Sequence, residues 1–242
     1  MTTMKLFCFV VFCACVIGVA SRPAVAAMTH ASPAPTAAPA ESAAEKKFVS
    51  SVSADLQKRF GTTAQAAAGG YFRYTDEDQT GAISWVNTNN WASDPQHPSQ
   101  LWYDATGRLI GADFSLAQKA PKKPPQVWGI SPSRWLDFSP AHVHFGIRVG
   151  SQVKFGGAGA KGMNSVGGSV SAPTAADIVK LGKSPRWKRL NIPAPKSTAD
   201  VAFVFPFPAV WDLQVWLVPN PLGAFAEHNP NVKPSKNATY QD

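Results

Sequence analysis

The chain has 242 residues, 45% of them hydrophobic, and a formal net charge of +8, which is long enough to bury a core of its own. Its three cysteines, Cys8, Cys13 and Cys15, all precede residue 16, so the rest of the chain has neither a disulfide framework nor thiolate chemistry. The basic excess is mild and spread along the chain, which argues against nucleic acid as a partner.

Residues 1–26 read as a secretory signal peptide: MTTMK carries a lysine, Leu6 to Ala20 is apolar, and Ala24-Val25-Ala26 supplies the small residues of a cleavage site. The apolar run is about fifteen residues, short of the roughly twenty that a spanning helix needs. The expected location is therefore secreted or periplasmic, with no transmembrane segment in the mature chain. Residues 27–41 are rich in Ala and Pro with almost no bulky apolar side chain, the composition of a disordered tether.

A single β-rich domain is expected over residues 42–228. It opens with an amphipathic helix: Ser42 and Glu45 have capping-box spacing, Phe48, Val49, Val52, Leu56 and Phe60 recur every three or four residues, and Gly61 stops the pattern. Short strands follow, as GYFRYT, AISWV, QLWYD, RLIGADFSL, QVWGI, RWLDF, AHVHFGIRV, DVAFVFPF and VWDLQVWLV. GGAGAKGMNSVGG reads as a flexible glycine loop, and Thr174 to Leu181 as a short capped helix. Residues 229–242 read as a disordered tail. The expected fold is mostly β: an antiparallel sheet sandwich or barrel-like domain with one N-terminal amphipathic helix and one short internal helix.

Between the first two strands, TDEDQTGAISWVN resembles an EF-hand calcium loop, with Asp76, Asp78 and Thr80 at the first three ligand positions and Gly81 at the turn. Asn87 stands where the loop needs a bidentate glutamate, and the flanks favour strands over helices. A hairpin turn with solvated acids accounts for the same letters. Further on, Tyr103, Asp104, Gly107, Arg108 and Leu109 resemble one unit of the YD repeat. No second copy follows, so what carries over is a hairpin turned at Asp104 and Gly107.

The sharper chemical pattern is PAHVHFGIRVG. Val143, Phe145 and Ile147 alternate with His142, His144 and Arg148, so both imidazoles leave the strand on the face away from the core. Two histidines at this spacing can ligate one ion, and a divalent transition metal is the candidate cofactor. Further ligands are His97, Asp212, Glu227 and His228, and Asp212 shares a strand face with Gln214 and Trp216. The same residues also fit half-exposed strand histidines, with Asp212 paired to Arg134 or Arg148. Arg148 on the histidine face favours an anionic ligand over a cation.

These patterns predict an exported protein that binds a small ligand or metal on a polar strand face. The alternative is a metal-dependent or histidine-based, hydrolase-like enzyme. A further alternative is carbohydrate or envelope-polymer binding through Trp85, Trp91, Trp102 and Trp216, with the basic run Lys180 to Lys196 touching an anionic polymer.

Overall fold

The computed structural model describes residues 37–238. The signal-peptide residues 1–26, the tether up to residue 36 and residues 239–242 of the tail lie outside the described residues. In chain order come helices α1 (Ala43–Phe60) and α2 (Thr63–Ala68), then strands β1 (Phe72–Glu77), β2 (Ile83–Val86), β3 (Gln100–Tyr103) and β4 (Leu109–Ala117). Next are β5 (Trp135–Phe138), β6 (His142–Val149), β7 (Gln152–Gly159), α3 (Ala160–Asn164), α4 (Ala175–Gly182), β8 (Val201–Phe207) and β9 (Val210–Trp216). The fold is mostly β, in two antiparallel sheets: a six-stranded one ordered β1-β2-β3-β4-β9-β5 and a three-stranded one ordered β7-β6-β8.

Alternation along the strands decides what each sheet face meets. In the large sheet, Leu101, Tyr103, Ala112, Phe114, Leu213 and Val215 join Phe48, Val52, Leu56 and Phe60 of α1 in one buried cluster. Helix α1 is started by its capping box, in which Glu45 N donates to Ser42 Oγ at 3.2 Å and Ser42 N to Glu45 Oε2 at 2.9 Å. In the small sheet, Val143, Phe145 and Ile147 pack against Met163 of α3, Ile178 and Leu181 of α4, and Trp187. The remaining faces turn toward each other. Phe72 and Tyr74 of β1 meet Phe203 and Phe205 of β8 with ring centroids 5.3–5.6 Å apart, an aromatic seam joining the sheets.

Four segments differ from the sequence reading. QVWGI is not a strand but a tight turn, with Trp128 and Gly129 at φ of 59° and 70°. Pro124 and Pro125 before it cannot donate to a ladder, and Trp128 stacks on Phe48 at 5.7 Å instead. The glycine segment is not a loop over its first part, since Gly156 to Gly159 belong to β7 and pair with β6. Gly156 lies opposite Phe145, and a Cβ there would sit 2.8 Å from that ring. The tail is not free: Val232 is buried against Trp102, Ile110 and Trp216, and Ser235 N donates to Glu77 Oε1 at 2.6 Å. The tether is engaged from residue 38, where Ala38 N donates to Leu222 O at 2.8 Å and Pro39 and Ala40 carbonyls accept from Arg134.

The TDEDQTG segment is a hairpin turn joining β1 and β2. Asp78 Oδ1 accepts from Thr80 N at 2.7 Å and from Ala82 N at 3.3 Å, and Asp76 pairs with Arg73 at 3.2 Å. The carboxylates that would serve a calcium ion thus hold the turn itself.

Candidate functional site

Between the facing sheets lies a cavity of about 370 Å³, within the range of small-molecule sites. The large sheet contributes Gln100 and Trp102 from β3, Asp113 from β4, and Asp212, Gln214 and Trp216 from β9. The small sheet contributes His142 and His144 from β6 and Phe207 from β8. The first hairpin contributes Tyr74, Thr75, Asp78, Gln79, Thr80, Ala82 and Ser84, and Phe138, Glu227 and His228 complete the lining. Residues about seventy positions apart meet because the polar face of β9 looks at the histidine face of β6 across the gap.

The histidines are positioned by their cross-strand partners. His142 stands opposite Phe207 and His144 opposite Phe205, and each imidazole stacks on its partner, with centroids 4.7 Å and 5.6 Å apart. His142 Nδ1 lies 3.2 Å from the carbonyl of Pro140, and the two Nε2 atoms are 3.1 Å apart. A carbonyl only accepts, so Nδ1 of His142 carries the proton. In the neutral ring its Nε2 then accepts, and His144 Nε2–H donates to it. Burial, and secondarily the neighbouring His142, push the His144 imidazole down to about 3, so it stays neutral.

Two carboxyls face this pair. Asp113 is 3% exposed and Asp212 1%, and their strands are ladder neighbours, with Asp113 opposite Gln214 and Ser115 opposite Asp212. Trp102 Nε1 donates to Asp113 Oδ2 at 2.9 Å, whereas Asp113 Oδ1 has no hydrogen-bond partner. Ser115 Oγ lies 2.7 Å from Asp212 Oδ1 and 2.5 Å from Ser99 Oγ, which in turn lies 3.0 Å from the Asp113 carbonyl. Ser115 Oγ is the donor to Asp212 Oδ1. Burial pushes Asp212 up to about 7 against the Ser115 hydrogen bond. Burial and then the charge of Asp212 push Asp113 well above the usual carboxylate range. The two titrate as a pair.

Of the ligand candidates, His142, His144, Asp212, Glu227 and His228 therefore share one cavity. His97 does not: it sits in the β2–β3 loop with Nδ1 at 2.9 Å and 3.0 Å from the Asp94 carboxylate. Asp212 pairs with neither arginine. Arg134 is bonded to Glu45 at 3.1 Å, and Arg148 donates to the carbonyls of Ala199 and Val201. The histidine spacing would admit one ion between two lone pairs at about 2.0–2.1 Å each. However, no group of three or more His, Cys, Asp or Glu among the described residues is arranged to hold a metal. The donor set does not fit a transition metal.

Sequence reasoning missed Asp113 and Gln100. The signal for Asp113 was an acid within an apolar strand, RLIGADFSL, since a buried carboxyl survives only with a purpose or a partner. Of the four tryptophans, Trp85 rests on Tyr103 and Trp91 on Phe207, while Trp102 packs on Trp216 and both line the cavity. In the basic run, Lys183, Arg186, Lys188 and Arg189 are exposed around the buried Trp187. No described helix is long and apolar enough to cross a membrane. Comparison with family models, with curated proteins and with solved structures found no match.

Proposed function

We propose that the protein is exported and binds a small polar ligand in the cavity between its sheets, without a metal. The observation that carries this reading is the unpartnered, buried Oδ1 of Asp113, a residue that lines a roomy cavity. Such an orphan is destabilising by about 1–3 kcal/mol unless something fills its place, and a ligand donor does so. Trp102, Trp216 and Phe207 supply the apolar walls that remove a ligand from water.

Trp102 and Trp216 also report occupancy through their fluorescence. The test is a titration of chemically diverse polar compounds against protein purified from the exported fraction, beside a Gln214→Phe variant that fills the cavity. Saturable emission changes lost in the variant at an unchanged melting temperature are expected. An absence of saturable hits, or hits indifferent to the filled cavity, would overturn the reading.

One observation favours a second reading, a hydrolytic enzyme. Two adjacent buried carboxyls whose coupling keeps one protonated near neutrality divide the roles of acid and base. On this reading Asp212→Asn abolishes turnover, a loss far larger than any weakening of binding. Retained turnover in that variant excludes it.

A further inference from the structure

We propose that the ligand class is a primary organic ammonium compound, bound with its N–H groups on the Asp113–Asp212 side and its carbon skeleton against the aromatic walls. This inference rests on the cavity reading above and deepens it. The first support is the charge distribution. The chain has 23 Lys and Arg against 15 Asp and Glu, yet the cavity wall carries Asp78, Asp113, Asp212 and Glu227, and neither Lys nor Arg among the described residues.

Charge alone makes no site; the second support is the free valence. Asp113 Oδ1 is buried and without a donor, while Oδ2 is held by the Trp102 indole. In the ionised carboxylate this oxygen lacks an N–H or O–H, and a charged N–H forms the stronger bond to it. A quaternary ammonium has no N–H to give, and a carboxylate or phosphate would meet four acids. Nor does Arg148 bring an anion to the site: it does not line the cavity, and its Nη1 donates to the carbonyls of Ala199 and Val201.

Ammonium binding also carries a proton signature. A cation beside the pair favours its ionised forms, so protons are released and affinity rises as pH climbs through the range in which Asp212 titrates, about 7. The other titratable groups facing the pair are Asp78, Tyr74, His142, His144, Glu227 and His228. Of these His144 stays neutral throughout, being pushed down to about 3 by burial and then by His142.

The experiment is calorimetric titration of the exported protein with matched probes: benzylamine, benzyl alcohol, benzoate and benzyltrimethylammonium, then 1,4-diaminobutane, 1,4-butanediol and succinate, with calcium chloride as a separate arm. Each amine is expected to bind at least ~10-fold more tightly than its alcohol, acid or quaternary counterpart. The amine preference should shrink by a similar factor in Asp113→Asn, with proton release seen as a dependence of the heat on buffer ionisation. The comparison within the wild type stands even if that variant fails to fold. Alcohols matching the amines, preferential binding of the acids or of calcium, or no amine binding at all would overturn the ammonium proposal. The cavity reading survives any of these outcomes if the fluorescence screen finds a neutral or anionic ligand, and falls only with that screen.

Discussion

Asp212 sets the pH behaviour of the folded state. Its carboxyl has an ordinary value of 3.8 and is pushed up to about 7 by burial, so between these values the folded chain holds a proton that the unfolded chain has released. Stability contributed by this residue is therefore full below about pH 4 and falls as pH rises toward 7. Asp212→Asn removes the titration while keeping an acceptor for Ser115. The variant is expected to be more stable than the wild type by about 2–4 kcal/mol at pH 8, with the difference vanishing near pH 4. Thermal unfolding at the two values checks this, and a variant less stable at pH 8 would refute it. Glu45 has the opposite sign. Burial would raise it, but its hydrogen bonds to Arg134, Ser42 and Ser131 prevail and hold it at about 2. Its contribution is present at neutral pH and is lost progressively as pH falls from about 4.5 through about 2.

The strands show what was legible in the sequence and what was not. Period-two alternation placed Val143, Phe145 and Ile147 on one face and His142 and His144 on the other, because that pattern is local and backbone geometry enforces it. Pairing is not local. Nothing in VWDLQVWLV says that it inserts between β4 and β5, or that its polar face looks across a gap at β6. Gly156 to Gly159 misled because they belong to a strand rather than a turn, whereas Gly111 lies in a strand, as RLIGADFSL predicts. Gly111 is opposite Trp102 in the β3–β4 ladder, and a Cβ there would lie 2.1 Å from the indole Cε3. Gly111→Ala must therefore displace the indole that holds Asp113 Oδ2. The expected result is a loss of about 1–3 kcal/mol of stability and a shifted tryptophan emission maximum. Unchanged emission would mean that the indole does not lie over the glycine.

At the level of the whole molecule, two apolar clusters hold the fold, one between α1 and the large sheet and one between the small sheet and the α3–α4 side. They are bridged by the aromatic seam of Tyr74, Phe205 and Phe207, beside which the polar cavity lies. Cooperative units follow contiguous packing. Native-state hydrogen exchange is expected to resolve two sets of protected amides, one on β3, β4 and β9 and the other on β6, with different opening free energies. A single set opening only through global unfolding would show that the seam couples them fully.

On β9 the side chains turned to the helix and those turned to the cavity alternate, so residues that keep the chain folded and residues that would select a ligand stand side by side on one strand. Leu213 and Val215 anchor β9 while Asp212 and Gln214 beside them line the cavity. A lineage carrying this fold is thus free to change the chemistry its cavity accepts one alternate residue at a time, and each such exchange leaves the anchoring side chains in place.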